Sequence, residues 1–267
     1  MKTVPHPSPS RGFSLIEMVI AIMVMGILAA ASAGFLRGPI ASYFEAERRT
    51  DLAEAGTLAL AKLQQEVGRA VPNSVRVINA GGRFWLELLP TRSEGRYRAA
   101  GPGDVLNFGT ADTGFDVLGP AVQALAGDWI VVNNHVPAAN VWSGTSRAAY
   151  SGAAGLVATV VHASHTFLAD APDRRFQVAV DPVTYACDPV TGSLRRYSNY
   201  GNPSPAQPTA FGAGAQNDLL ATGLRSCRAT AFAGTLRRAQ TVAVELGFDS
   251  AGDRLILAGT LRVEPLP

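Results

Sequence analysis

Lysine is nearly absent from this chain. Of 23 basic residues only Lys2 and Lys62 are lysine, and 21 acidic residues leave a formal net charge of +2. No basic footprint for a nucleic-acid backbone forms, so nucleic acid is not an expected partner. Cysteine is limited to Cys187 and Cys227, too few for a cysteine zinc site and too far apart for a C-x-x-C redox pair. Charge is sparse at 16%, yet 47% of the residues are hydrophobic, with 27 glycines and 17 prolines, which excludes a disordered or collagen-like chain. A length of 267 residues allows one large domain or two small ones with a substantial core. Catalytic signatures are missing too: there is no G-x-S-x-G elbow and no H-E-x-x-H. Gly101-Pro102-Gly103 lacks the Lys and Ser/Thr of a phosphate loop, and its proline removes an N–H donor, so it reads as a turn. The absences point away from an enzyme, and no cofactor is expected.

What is present is concentrated near the amino terminus. Met18 to Leu36 carries no charge, and extending the run back to Phe13 admits only Ser14 and Glu17. As a helix it is about 36 Å long, against a hydrocarbon core of about 30 Å. Ahead of it lies the short leader MKTVPHPSPSRG with Lys2 and Arg11. The positive-inside rule keeps that terminus cytoplasmic and sends the body of the chain across the membrane. An ordinary secretory signal would use Ala31-Ser32-Ala33 as its cleavage site before Gly34, and an uncleaved signal anchor is the other bland reading. Neither accounts for Glu17, since an ionisable group at membrane depth costs roughly 2.5 to 3.5 kcal/mol and is functional by default.

Arg11-Gly12-Phe13-Ser14-Leu15-Ile16-Glu17 resembles the processing motif of type IV pilins and pseudopilins: a short basic leader ending in Gly, then Phe, then Glu four residues later, then an unbroken apolar helix. The resemblance implies that a prepilin peptidase cuts between Gly12 and Phe13 on the cytoplasmic side and methylates the new amine of Phe13. It further implies that the helix is retained, first as a membrane anchor and then in a filament core. There Glu17 would pair with the terminal amine of a neighbouring subunit and set the register, because either charge alone in an apolar setting is uncompensated. The alternative for Glu17 is an acid that snorkels to the interface.

After the anchor, residues 40–70 read as an amphipathic helix whose apolar stripe is Phe44, Leu52, Ala55, Ala59, Leu63, Val67 and Ala70. Pro39 is expected to kink or separate it from the anchor, and Pro72 with Asn73 and Ser74 to end it. Beyond Val75 the chain reads as strands and turns: Arg83 to Leu89, Trp129 to Val132, Leu156 to Val161, Phe176 to Val180, and a hairpin of Gln240 to Phe248 with Arg254 to Val263. Tyr200 to Ala215 is a surface loop in this reading. The expected fold is α+β and pilin-like: a leader over 1–12, a transmembrane or filament-core helix over 13–36, an amphipathic helix over 37–72, and an antiparallel β-rich head over 73–267. In an oxidising compartment the even pair Cys187 and Cys227 favours a structural disulfide over two unpaired thiols.

The head also resembles the MshO-like minor pilins of mannose-sensitive haemagglutinin (MSHA) pilus biogenesis. The resemblance rests on Leu63 to Val77, Phe84 to Arg98, Phe115 to Gly119, and Tyr185 to Tyr200 with the second cysteine, while Leu261 to Pro267 departs from that pattern. It implies a low-copy minor subunit whose partners are the prepilin peptidase, the major and other minor pilins, the inner-membrane assembly platform and membrane lipid. Its location would be the inner membrane with a periplasmic head, and later a pilus or pseudopilus. The competing assignments are a J-type minor pseudopilin of a type II secretion system and, in another class, a membrane-anchored or secreted periplasmic binding protein or hydrolase. For that last class the candidates are few. His162 and His165, with Asp170 and Asp173, suggest a metal on paper, but His-x-x-His in a strand puts the rings on opposite faces. Asp112 and Asp116 lack the rest of a calcium loop. Tyr97, Trp142, Arg195, Arg196, Tyr197 and Tyr200 form a partner surface only if exposed, and core or loop packing is the expectation for each.

Overall fold

A computed structural model of the chain describes residues 12–135, 140–235, 238–250 and 253–264. The leader residues before Gly12, including Lys2 and Arg11, and the tip of the final hairpin lie outside them. The chain divides into two units, Met1–Thr50 and Asp51–Pro267.

One helix, α1 (Leu15–Gly68), accounts for both helices expected from the sequence. The backbone stays helical through Pro39, so the expected separation at that residue does not occur. Its carboxyl-terminal end comes two residues early: the N–H groups of Arg69 and Ala70 turn back to the carbonyls of Glu66 and Val67 at 3.2 and 3.1 Å. The chain then joins the sheets, where Ala70 bridges to Pro90.

The strands follow in order as β1 (Arg76–Ala80), β2 (Arg83–Leu88), β3 (Thr91–Tyr97), β4 (Asp112–Leu118), β5 (Val122–Ala124), β6 (Trp129–Val132), β7 (Arg147–Ala149) and β8 (Gly155–Val157). After these come β9 (Thr159–His165), β10 (Arg175–Ala179), β11 (Val183–Asp188), β12 (Ser193–Ser198), β13 (Gln216–Thr222), β14 (Leu224–Phe232), β15 (Thr241–Ser250) and β16 (Asp253–Arg262). They form a five-stranded sheet β1-β2-β11-β12-β13, a three-stranded sheet β14-β15-β16, a six-stranded sheet β7-β6-β10-β3-β4-β9 and the pair β5-β8. Every pairing between these strands is antiparallel. The fold is α+β with a β-rich antiparallel head.

Period-two patterning explains how the sheets are faced. In β2, Phe84, Leu86 and Leu88 are fully buried on one side, while Arg83 and Trp85 on the other are half-buried. The β1–β2 hairpin turns on Gly81 and Gly82, both at positive φ, as a two-residue turn of this hand requires. The first core joins the five- and three-stranded sheets to the end of α1 through Ala59, Leu63 and Val67, at the four-residue spacing of one helix face. Ala59, Leu63, Val67 and Ala70 of the expected stripe are buried. The side chain of Phe44 is exposed.

The second core belongs to an inserted lobe. The chain leaves at the end of β2, builds β3 to β10, and returns as β11 directly beside β2, with Val183 opposite Leu88. Within this lobe Phe115, Phe176, Ile130, Val160 and Tyr97 are buried together. Its two edges meet: Tyr150 bridges to His162, and Ser151 N–H donates to the Val161 carbonyl at 2.9 Å. The lobe thus leaves fewer open strand edges. A third, small cluster of Val71, Leu89, Val131, Val141, Trp142 and Ala179 sits where the insertion departs and returns.

Candidate assembly site

The amino-terminal segment is built from the helix start. Ser14 precedes the first helical residue, and its carbonyl accepts from Glu17 N–H at 3.0 Å and Met18 N–H at 3.1 Å. Ser14 is therefore the N-cap and Glu17 the third helical position, the spacing of a capping box, which the sequence reading passed over although S-x-x-E was in plain view. The carboxylate of Glu17 also sits in the first turn, where the helix dipole favours negative charge. Gly12 has open space around its α-carbon, and Phe13 is 84% exposed.

From there the apolar residues point outward on every side. Large hydrophobic residues from Phe13 to Leu28 are between 47% and 84% exposed, and Leu15–Ser32 is long and apolar enough to cross a membrane. A helix apolar all round is a bilayer span or the interior of an assembly, because water would not tolerate such a surface.

The family model for the prokaryotic N-terminal methylation motif matches residues 7–33. Over those residues the amino terminus is similar to type IV pilin-like proteins. The motif supports a pilin-like or pseudopilin subunit and, with the apolar helix, points to a membrane-anchored protein; the motif itself implies processing by a prepilin peptidase and assembly with other pilins. Neither the curated proteins nor the solved structures offer a match to the chain.

In the head, Cys187 and Cys227 form a disulfide across 40 residues of sequence, with Cα atoms 6.4 Å apart. It ties β11 of the five-stranded sheet to β14 of the three-stranded one. The histidine pair behaves differently from expectation. The β4–β9 register slips between Asp112 and Gly114, and the rings of His162 and His165 both contact Phe167, at 5.5 and 4.6 Å, instead of facing opposite sides. Burial lowers the pKa of His165. Asp170 accepts a hydrogen bond from the Tyr97 hydroxyl, so both histidines and Asp170 are engaged in the packing of the lobe. Among the described residues no three His, Cys, Asp or Glu side chains gather as an ion site.

Asp112 and Asp116 are likewise occupied by the fold. Burial pushes the Asp112 carboxyl up, but N–H groups of Asn107, Thr113 and Gly114 at 2.6 to 3.2 Å outweigh it and hold it below the usual carboxylate range. Asp116 is lowered chiefly by Asp104 N–H and then by the Thr159 hydroxyl, both at 3.0 Å. Gly101 and Gly103 adopt positive φ in the bend that presents Asp104 to it.

Of the six aromatic and arginine candidates, Tyr97 and Trp142 are buried, so a partner surface built on them is ruled out. Trp142 Nε1 donates to the Ser74 carbonyl at 3.0 Å. Tyr197 stacks on Phe211 with centroids 4.1 Å apart, Arg195 donates to Asn217, and Arg196 clasps Glu66 of α1 at 3.0 and 3.1 Å.

Sequence reading also missed a buried ion pair at the centre of the head. Glu87, only 1% exposed, accepts from Arg76 Nε at 2.6 Å and from the Tyr200 hydroxyl at 2.9 Å. Arg76 lies over the Trp142 ring at 3.8 Å and donates to the carbonyls of Ser204 and Pro205 at 2.8 Å. Arg147 donates to Pro203 O, and Gln207 to Trp85 O. The surface loop expected between β12 and β13 is mostly exposed, as read from the sequence, and is in addition a strap pinned to both the five-stranded sheet and the inserted lobe.

Proposed function

We propose that this chain is a minor pilin-like subunit for assembly of a type IV, MSHA-like pilus. The observation that carries the reading is the methylation motif at residues 7–33 opening directly into an apolar helix with no buried face. In this reading a prepilin peptidase cleaves after Gly12, methylates Phe13, and leaves the helix as anchor in the inner membrane with the head in the periplasm. The assembly platform then draws the subunit from membrane lipid into a filament of major and other minor pilins, and Glu17 meets the amine of a neighbour. The size of the head, with its inserted lobe, supports a low-copy subunit over the bulk building block. A J-type minor pseudopilin of a type II secretion system would share the helix and a large β-rich head, and the genes beside this one separate the two machines.

The deciding experiment isolates the protein from membranes and determines its amino terminus by intact mass and peptide sequencing. A chain beginning at methylated Phe13 is the expected result. A chain beginning at Gly34 would mean that the helix is discarded, and the assembly reading would fall.

A further inference from the structure

The three-stranded sheet ends in a free edge with an unusual charge pattern. β15 and β16 pair from Ser250 opposite Asp253 to Thr241 opposite Arg262. The tight closing pair and the Val263 N–H bond to the Gln240 carbonyl at 3.0 Å fix which backbone groups face β15. They are those of the odd-numbered residues of β16, since hydrogen-bonded pairs alternate along an antiparallel ladder. The N–H and C=O groups of Arg254, Ile256, Ala258, Thr260 and Arg262 therefore face away, and among the described residues no strand lies on that side; the open stretch ends past Arg262, where Glu264 N–H donates to the Gly68 carbonyl at the end of α1 at 2.9 Å. All five residues are exposed.

Natural sheets guard such an edge with proline, bulges or central charge. Here β16 contains no proline, its pairing to β15 runs without a register shift, and Leu255 to Leu261 carries no charge. Charge appears only at the two ends. Arg254 is 85% exposed, with Asp249 approaching no nearer than 3.8 Å, and Arg262 has no acidic partner among the described residues. The other edge of this sheet is guarded: Asn79 of β1 brackets Ala229 of β14, donating to its carbonyl at 2.8 Å and accepting from its N–H at 3.4 Å.

We propose that the edge of β16 accepts an extended segment of another protein as an added strand, one with carboxylates eight residues apart flanking small and β-branched residues. Backbone bonds to Ile256, Ala258 and Thr260 supply the attachment, and the terminal arginines supply register and choice of partner. A second copy of β16 does not fit. Antiparallel pairing centred on Ala258 sets Arg254 against Arg262 twice, parallel in-register pairing sets each arginine against its own kind, and like charges directly opposite repel. The inference is independent of the assembly reading, because the edge exists whether or not Phe13 is processed.

The test uses the full chain in detergent micelles and two synthetic nine-residue peptides of alternating Thr and Val, one with Asp at both ends and one with Lys. Hydrogen exchange resolved to single amides should slow at least tenfold at Ile256, Ala258 and Thr260 with the Asp peptide, and that peptide should bind at least fivefold tighter than the Lys peptide. Arg254→Glu combined with Arg262→Glu, both on the exposed face, should reverse the preference while leaving tryptophan emission unchanged. Equal affinity for the two peptides would overturn the proposal, as would slowing that spares those three amides. Slowing that grows with protein concentration in the absence of peptide would overturn the choice of partner in favour of a second copy.

Discussion

Arg76→Ala should cost the head about 4 kcal/mol at pH 7.5, because truncating one partner of a buried ion pair leaves the other charge uncompensated at roughly 3 to 5 kcal/mol. Arg76 reaches Glu87 at 2.6 Å, with side-chain exposures of 19% and 1%. The stack on Trp142 adds a share that such contacts set at about 0.5 to 2 kcal/mol. The pH dependence identifies the cause. Burial raises the Glu87 carboxyl above its ordinary value of 4.5, outweighing the opposing pull of Arg76 and Tyr200. The folded state thus binds the proton more tightly than the unfolded one. This contribution to stability is full below pH 4.5, falls as pH rises through the raised value, and is flat above it. Removing Arg76 raises that value further, so the gap between variant and wild type should be smallest below pH 4.5, where only the Trp142 stack and the bonds to Ser204 and Pro205 are lost, and widen toward neutrality. Urea unfolding followed by tryptophan emission reads the head alone, since Trp85, Trp129 and Trp142 are the only tryptophans. A loss below 1 kcal/mol at pH 7.5, or a gap of equal size at pH 4 and pH 7.5, would refute the argument.

Three further outcomes are expected. Cys187→Ser should lower head stability by about 4 kcal/mol in the chain-entropy model for a loop of this length without affecting membrane insertion, as urea curves and membrane fractionation will show. Gly56→Ala should destabilise by about 1 to 2 kcal/mol: a methyl there runs into Leu257 and comes within 2.9 Å of the Phe248 ring, an overpacking cost that exceeds the roughly 1 kcal/mol gained in helix propensity. A thermal midpoint above wild type would count against it. Glu17→Ala should be processed and inserted normally but enter filaments poorly, and wild-type levels in sheared filaments would contradict the pairing role.

Local signals carried the reading furthest. The apolar run, the amphipathic spacing of Ala59, Leu63 and Val67, and the alternation in Arg83 to Leu89 each report one element's burial, and each was legible because neighbours in sequence suffice to create it. The hairpin of β15 and β16 was read for the same reason. The inserted lobe was not, because its boundaries are set by Val183 finding Leu88 across the intervening strands, and no local pattern encodes that meeting. The helical backbone at Pro39 removes the separation that a proline there could have produced, because long helical flanks carry the chain through it. His162 and His165 misled because period two holds only while register holds, and the slip opposite Asp112 and Gly114 falls between them. Glu87 looked like an ordinary strand acid; only its place opposite Arg76 and Thr184, beneath Tyr200, makes it buried.

The capping geometry at Ser14 sharpens what Glu17 is for. Glu17 stands at the spacing of a capping box, where a side chain that reached back to the Ser14 amide would add at most about 1 kcal/mol to the helix start, and a first-turn acid gains up to about 1 kcal/mol more from the dipole. Carrying that carboxylate to membrane depth costs roughly 2.5 to 3.5 kcal/mol. Capping alone therefore leaves Glu17 a net liability, and a sequence under no other demand would do as well with Gln, which keeps the box and loses the charge. In the proposed assembly the missing favourable term is the amine of a neighbouring Phe13, which is itself uncompensated until it finds a carboxylate. Glu17→Gln separates the two roles. The helix start should persist, seen as unchanged protection of the Glu17 and Met18 amides in micelles, while filament entry falls as far as in Glu17→Ala. Filament entry at the wild-type level with Gln in place would reduce Glu17 to a cap, and the charge would need another explanation.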